Sequence, residues 1–179
     1  MIQIRRHALV RYSPAQMFDL VNDVEAYPTR FPWCADAEIV ERESDTTLVA
    51  RLDLRFAGLT QSFTTRNTSD PPHTLHLHLV DGPLRTLEGE WTFAALGAPS
   101  SGSSSHAGSS PGQALLPRAG EGKTKRPAAG SSLTGCKIAL ALDFEYAGFL
   151  AGTALRLGFQ GLANRMVDDF CRAAVKAYG

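Results

Sequence analysis

The stretch from Phe149 to Tyr178, FLAGTALRLGFQGLANRMVDDFCRAAVKAY, decides which fold the rest of the chain must adopt. Its polar residues recur every fourth position, at Arg156, Gln160, Asn164, Asp168, Arg172 and Lys176. An apolar stripe lies opposite them, at Leu155, Phe159, Leu162, Met166, Phe170 and Ala174. This period, close to the ~3.6 residues of a helical turn, predicts an amphipathic helix roughly 40–45 Å long. A helix of that length cannot bury its own stripe, so we expect it to pack on a broad sheet.

The polar face of this predicted helix disfavours a membrane span, because a span needs about 20 mostly apolar residues. The spacing of Asp168 and Arg172 predicts an ion pair between residues four positions apart. Both features are typical of a helix with one face in water.

Four glycines interrupt the first half of the helix, at Gly148, Gly152, Gly158 and Gly161. Each interior glycine costs a helix roughly 1 kcal/mol relative to alanine, so the first half should be the looser half. Two interpretations stay open here. The glycines either allow close backbone approach to a ligand or a hinge at a cavity mouth, or they pack tightly against bulky sheet residues.

The beginning of the chain predicts a strand followed by a helix. Residues 2–12 alternate loosely between apolar and polar and are typical of a strand. Ser13 is a favourable helix cap, Pro14 suits the first helical position, and Gln16 completes a capping box. We therefore expect a short helix over residues 14–22.

A second short helix is expected directly afterwards, from Val24 to about Tyr27. Asp23 is positioned to cap its beginning, and Pro28 and Pro32 are expected to bracket its end.

Six more segments show the patterns of strands. They are residues 37–44, 46–56, 59–68, 73–81, 84–93 and 133–146. The order of strand, two short helices, six strands and long helix predicts an α+β fold. In that fold a curved antiparallel sheet of about seven strands shares one core with the C-terminal helix.

The segment 97–132 differs in composition from everything around it. It consists almost entirely of Gly, Ser, Pro, Ala and charged residues, including the basic run Lys123 to Arg126. Such a segment cannot bury enough apolar surface to offset its ordering entropy. We expect a disordered insertion between the last two strands of a single domain that spans residues 1–179, because both flanks are strand-like. The basic run is either phosphate-binding or solvated linker charge.

Charge and cysteine content limit the class of protein. The chain has 18 basic and 18 acidic residues, so no global field attracts nucleic acid and we expect no DNA partner. The segment 97–132 carries a net charge of +3 and the remainder −3. Cys34, Cys136 and Cys171 form no CxxC motif, which suits a reducing cytosol. Strand-like alternation begins at Ile2, so we expect a cytoplasmic protein without a signal peptide, with peripheral contact at the inner membrane left open.

Three motifs resemble a known family. They are VNDVEAYPTRFPWC (Val21 to Cys34), DGPLRTLEGEWTF (Asp81 to Phe93) and LDFEYAGFL (Leu142 to Leu150). They are similar to the coenzyme Q-binding branch of the START-like, polyketide cyclase superfamily, which also contains the bacterial ribosome association toxin A proteins. The resemblance implies a helix-grip fold, in which a curved antiparallel sheet surrounds a long C-terminal helix with a hydrophobic cavity between them. The chain departs from the family at Thr29-Arg30-Phe31, where an acidic and an apolar residue are more common, and in the long insertion.

The residues that could carry catalysis have simpler interpretations. His76 and His78 have a spacing that metals use, but no other residue of ligand type is tied to them, and an outward-facing pair on a solvated sheet face is favoured. Cys34 could be a reactive thiol, yet no basic partner is near it in sequence, and a buried structural cysteine is favoured. Asp143 and Glu145 are expected on the outer face of a strand rather than as a general acid and base. We therefore predict no catalytic residues, no metal site, no cofactor and no enzyme activity.

An apolar interior with few polar groups is typical of a site for a hydrophobic ligand. A helix-grip sheet has more inner surface than one helix covers, so some inner residues must line a cavity. Core packing remains the alternative for each residue taken singly. The candidates for the lining are Phe31, Trp33, Leu54, Phe56, Phe63, Leu77, Trp91, Phe144, Phe159, Leu162 and Met166.

Three functions follow from the resemblance and the residue pattern. The first is non-enzymatic binding of ubiquinone, or of a similar polyisoprenoid lipid, as a lipid chaperone for respiration, with transient contact to a membrane surface. The second is a toxin-like protein that binds the large (50S) ribosomal subunit and blocks 70S association. The third is a polyketide cyclase or aromatase, which would need polar groups in the cavity.

Overall fold

A computed structural model describes residues 1–97, 135–148 and 152–179, and these residues form one antiparallel sheet with helices on its inner face. The strands are β1 (Ile2–Val10), β2 (Cys34–Arg42), β3 (Thr47–Phe56), β4 (Leu59–Asp70), β5 (Thr74–Asp81), β6 (Leu84–Leu96) and β7 (Gly135–Tyr146). The helices are α1 (Pro14–Asn22), α2 (Tyr27–Arg30) and α3 (Thr153–Tyr178), with a 3₁₀ turn at Val24–Ala26. The predicted helix-grip fold of about seven strands is confirmed.

The sheet is open, and its two edges are strands that follow each other in sequence. Its order is β1-β7-β6-β5-β4-β3-β2, with every neighbouring pair antiparallel. β1 pairs with β7 so that Ile2 lies opposite Phe144 and Val10 opposite Cys136. The chain therefore crosses the whole width of the sheet between β1 and β2, and α1 and α2 lie in that crossing.

The predicted start of α1 is confirmed at atomic detail. Gln16 N donates to Ser13 Oγ over 3.2 Å, and Ser13 N donates to Gln16 Oε1 over 2.9 Å. These two bonds satisfy backbone groups that the first turn of a helix leaves unpaired. Met17, Phe18, Leu20 and Val21 then bury the inner face of α1.

The second short helix differs from the prediction in two ways. Asp23 makes no capping bond, and it pairs instead with Arg30, with 2.8 Å between Asp23 Oδ2 and Arg30 Nη2. Pro28 does not end a helix but lies in the first turn of α2. The prediction was wrong because the first turn has no partner for its N–H groups, so proline is as acceptable there as after a helix end.

Helix α3 begins at Thr153 and is the long amphipathic helix that the sequence predicts. The predicted pair of Asp168 with Arg172 is wrong, because Arg172 bonds to Asp169 three positions before it. The Asp169 side chain is only 14% exposed and also lies 3.6 Å from Arg165. Asp169 therefore forms ion pairs with both Arg165 and Arg172.

The predicted insertion, residues 97–132, falls outside the described residues except for Gly97. The strands on either side of it are described, and Leu96 at the end of β6 pairs directly with Gly135 at the start of β7.

Candidate functional site

An apolar cavity lies between the inner face of the sheet and the helices. Residues from α1, the 3₁₀ turn, α2, five strands and α3 supply its walls, with Trp33 just before β2. The lining consists of Val21, Val24, Tyr27, Trp33, Leu52, Leu54, Phe63, Thr65, Asn67, Leu75, Leu77, Leu87, Trp91, Leu142, Phe159, Met166 and Phe170. None of these side chains is a carboxylate, an amine, a guanidinium, an imidazole or a thiol. The cavity therefore suits an uncharged, apolar occupant.

The inner part of the cavity is small. The space between its walls, counted out to the mouth, is about 690 Å³, and about 80 Å³ of it admits the centre of a water molecule. That inner space is large enough for only a few water molecules. A ring-sized ligand would require the walls to move apart.

Two aromatic side chains of α3 that line the cavity anchor the helix to the rings around it. Phe159 stacks on Phe63, with 5.1 Å between ring centroids, and meets Phe144 edge-on at 4.9 Å. Phe170 packs edge-on against Trp91 at 5.2 Å and against Phe31 at 4.7 Å. The two anchors are eleven residues apart on α3, which is a rise of about 16 Å.

Between the anchors, Met166 faces the cavity and is partly buried. Methionine is unbranched and adapts to irregular space, so this part of the wall can adjust to an occupant.

Two polar groups at one end of the cavity are already hydrogen-bonded to protein. Trp33 Nε1 donates to Asp169 Oδ2 over 2.9 Å, which ties the segment before β2 to α3. The Tyr27 hydroxyl donates to the carbonyl of Val21. Burial raises the pKa of Tyr27 above its ordinary value, so the hydroxyl stays neutral. Neither group is arranged as a general base.

The inner face of β4 contributes a polar pair that the sequence reasoning missed. Thr65 and Asn67 are 8% and 5% exposed, and they line the cavity beside Phe63 on the same face of the strand. Thr65 Oγ1 donates to Asn67 Oδ1 over 2.7 Å. The alternation through Phe63 was the available signal, because residues two and four positions after an inward aromatic share its face.

The structure brings seven of the eleven predicted lining residues together around the cavity. They are Trp33, Leu54, Phe63, Leu77, Trp91, Phe159 and Met166. The other four do not line it. They are Phe31, Phe56, Phe144 and Leu162, all of which are buried in the surrounding core.

Packing between aromatic rings explains this placement. Phe31 stacks on Trp33 with 4.7 Å between ring centroids and an interplanar angle of 11°, so it supports a lining residue from behind. Phe56 and Phe144 likewise pack against Phe159. These residues shape the wall without facing the space inside.

The histidines of β5 lie on the outer face of the sheet. His76 Nδ1 is 3.3 Å from Glu90 Oε2, and His78 contacts Glu88, in each case across the β5–β6 pair. Within the described residues, no group of three or more His, Cys, Asp or Glu side chains is arranged to hold a metal ion.

The remaining candidates for catalysis also have structural roles. Cys34 is buried, and burial raises its pKa to about 11, which keeps the thiol protonated at neutral pH. Asp143 pairs with Arg5 on the neighbouring strand at 2.8 Å. Neither residue lines the cavity.

Known proteins resemble this chain along most of its length. The family model described as polyketide cyclase / dehydrase and lipid transport matches residues 10–171. A protein named ribosome association toxin RatA, from Pseudomonas aeruginosa, is 35% identical over 176 residues, which cover 98% of this chain and 97% of that protein. A protein named coenzyme Q-binding protein COQ10 homolog B, mitochondrial, from Xenopus laevis, is 22% identical over 179 residues, covering 99% of this chain and 60% of that protein.

A solved structure supports the fold assignment. The Zhui aromatase/cyclase from a Streptomyces species superposes with a TM-score of 0.70 at 16% identity, covering 99% of this chain and 96% of that one. At that identity the likeness concerns the fold alone. Among the helices that the structure describes, none has the length and apolar character needed to cross a membrane.

Proposed function

We propose a function from one premise, which is that this chain belongs to the polyketide cyclase / dehydrase and lipid transport family. The protein binds a hydrophobic ligand of the polyisoprenoid quinone class, with ubiquinone as the leading candidate, and does not transform it. The observation that carries this proposal is the cavity, whose walls are apolar apart from a few neutral polar groups. The similarity to a protein named for coenzyme Q binding supports the choice of ligand.

The chemistry of the lining favours binding over catalysis. Among the described residues that line the cavity, none is ionised at neutral pH, and the Tyr27 hydroxyl is occupied by the Val21 carbonyl. Each Å² of apolar ligand surface buried against such walls contributes about 25 cal/mol to binding. General acid–base catalysis would instead need a side chain that can exchange a proton with the ligand.

The seven lining residues Trp33, Leu54, Phe63, Leu77, Trp91, Phe159 and Met166 are the proposed ligand contacts. Because the inner space is small, binding of a ring-sized ligand requires the walls of the cavity to move apart. Met166 lies between the two aromatic anchors of α3 and adapts its shape to the bound molecule.

The first test is extraction of protein purified from a quinone-containing host, followed by mass spectrometry of the organic phase. A polyisoprenoid quinone at near-stoichiometric amount supports the proposal. Leu77→Lys, which places an ammonium group at the cavity wall, should abolish capture because the charge resists burial. His78→Lys is the matched control, since the same new side chain one residue later lies on the outer face.

Two outcomes would contradict the proposal that the protein binds a quinone in this cavity. Folded parent protein that carries no lipid and takes up no added quinone would contradict it. So would a folded Leu77→Lys variant that binds quinone as well as the parent does.

A second candidate function rests on a different observation. The similarity to a protein named ribosome association toxin extends over 98% of the chain at 35% identity. We propose, as the alternative, that the protein binds the large ribosomal subunit and prevents subunit pairing. Outside residues 97–132 the chain has 14 basic and 17 acidic residues, so such binding cannot depend on a general excess of positive charge.

The alternative is tested by adding purified protein to separated ribosomal subunits and resolving the mixture on a sucrose gradient. Loss of the 70S peak, with the protein in the 50S fraction, supports it. An unchanged 70S peak at a large excess of protein contradicts it. The Leu77→Lys variant shows whether ribosome binding depends on an intact cavity.

A further inference from the structure

One pair of polar side chains interrupts an otherwise apolar floor of the cavity. Asn67 lies on β4 between Leu48 of β3 and Leu77 of β5, and Thr65 lies opposite Ala50 of β3. Both side chains are more than nine-tenths buried and line the cavity. Apolar residues would fit this position with less desolvation, so the pair calls for an explanation beyond packing.

The hydrogen bonding of the pair is incomplete. The Asn67 Oδ1 atom accepts from the Thr65 hydroxyl over 2.7 Å. A side-chain amide also has two N–H donors, on Nδ2. Among the described residues, no hydrogen bond from Asn67 Nδ2 is present. Because Asn67 lines the cavity, this donor is available to whatever occupies it.

We infer that Asn67 recognises an acceptor oxygen on the ligand, of the neutral carbonyl class, and that Thr65 is a positioning residue that holds the amide. This inference rests on the proposed function, because it assumes that the cavity binds an apolar ligand. A carboxylate would also accept from the amide. The described lining has no cation to balance its charge, so an uncharged carbonyl is the better partner.

The geometry of the pair explains why both residues are needed. With the Thr65 hydroxyl bonded to Oδ1, rotation of the amide is restricted and Nδ2 keeps one direction. The cavity would therefore select a ligand by the position of its oxygen as well as by its apolar surface. A benzoquinone ring with an alkyl tail has this chemistry, whereas an alkylbenzene of the same length does not.

The test compares two probes, decyl-benzoquinone and decylbenzene, by isothermal titration calorimetry on the full chain. Asn67→Leu should weaken binding of the quinone about tenfold, the contribution of one hydrogen bond, and should change decylbenzene binding less than about twofold. Both tryptophans of the chain line the cavity, so their fluorescence independently reports occupancy.

Thr65 is tested by the ratio of the affinities for decyl-benzoquinone and decylbenzene. A residue that only packs against the cavity would not change this ratio. Thr65→Val should lower the preference for the quinone about threefold, and Thr65→Ser should restore it. Thr68→Val is the matched control, because the same change on the exposed face of β4 should leave both affinities unchanged.

Each contrary outcome identifies a different failure. If Asn67→Leu binds the quinone as tightly as the parent does, or loses both probes equally, Asn67 does not recognise the ligand. If the parent binds decylbenzene as tightly as the quinone, apolar binding stands and carbonyl recognition is wrong. If the folded parent binds neither probe, the proposed function fails and this inference fails with it. Thermal melts of every variant identify loss of folding.

Discussion

At the scale of single residues, Gly158 and Gly161 show that glycines in α3 have different surroundings. A Cβ atom at Gly158 would lie 2.6 Å from Cδ2 of Phe56 and 3.1 Å from Cβ of Ala57, whereas one at Gly161 would meet nothing within 4 Å. The packing interpretation of the glycines is therefore right at Gly158. At Gly161 the structure offers no packing reason for glycine.

The first prediction compares alanine at these two positions. Gly158→Ala should lower the free energy of unfolding by about 1–2 kcal/mol, because the steric cost exceeds the gain in helix propensity. Gly161→Ala should raise it by about 0.5–1 kcal/mol. Urea unfolding followed by circular dichroism measures both. An equal rise in unfolding free energy for the two variants would show that α3 does not pack closely against Phe56.

The second prediction concerns thiol reactivity and its dependence on pH. Burial raises the pKa of Cys34 and of Cys136 from 9.0 to about 11. At pH 8 the thiolate fraction, and with it the alkylation rate, should be about 100-fold below that of an ordinary thiol, because the thiolate is the nucleophile. The folded state holds these protons more tightly, so their contribution to stability is present below pH 9 and is lost as the pH rises through 11.

Iodoacetamide labelling followed by peptide mass spectrometry checks this prediction. Cys171, which is only partly buried, should react first at pH 8. Rapid labelling of Cys34 in folded protein would contradict its burial at the start of β2.

The predictability of the site also differs from residue to residue. Phe159 and Met166 could be identified from the sequence because helical spacing determines which face they occupy. Phe31 was misplaced because nothing in the sequence shows that its ring stacks behind Trp33. Asn67 was missed because a polar residue in a strand is usually assigned to the outer face, and only the register with Phe63 shows otherwise.

At the scale of elements, the junction between β6 and β7 leads to the third prediction. Leu96 and Gly135 pair directly, so the two strand ends are already positioned for a tight turn. Replacing residues 98–134 by a four-residue turn should preserve the fold. The unfolding free energy should rise by up to about 2 kcal/mol, because each halving of the length of a connection lowers its closure cost by about 0.6 kcal/mol and this replacement amounts to about three halvings.

Thermal melts and circular dichroism of the shortened chain measure this effect, with the parent chain as the reference. A shortened chain that fails to fold would show that residues 98–134 contribute contacts to the sheet.

The elements were predicted well where a periodic pattern runs for many residues, as in β3, β7 and α3. Their ends were predicted less well. β2 begins at Cys34 rather than Ala37, because a register shift between Cys34 and Asp36 interrupts the regular pairing of its first residues with β3. Pro28 shows the same limitation, since proline is compatible both with the beginning of a helix and with the region after its end.

At the scale of the whole molecule, ligand binding should appear as stability. The fourth prediction is that decyl-benzoquinone at about 100 times its Kd adds about 2.7 kcal/mol to the folded state. For a chain of this length that gain corresponds to a rise in Tm of about 5–10 °C. Differential scanning fluorimetry measures it, and the Leu77→Lys variant should show no rise.

The overall fold was predictable because the order of elements leaves few ways to cover a long amphipathic helix. The position of the cavity was harder to predict, because it depends on side chains from nine elements meeting at one place. No local sequence pattern shows which of those side chains leave a space between them in the folded protein.

The pairing of β1 with β7 has a consequence for the growing chain. Ile2 and its partner Phe144 are 142 residues apart, which at 5–20 residues per second separates their synthesis by roughly 7–28 s. During that interval β1 has no partner, and the meander from β2 to β6 exposes the edge that β7 will cover. The nascent protein therefore passes through a period in which β1 is unpaired and the β6 edge is uncovered, and a chaperone or a pause in translation would have its greatest effect on yield during that period.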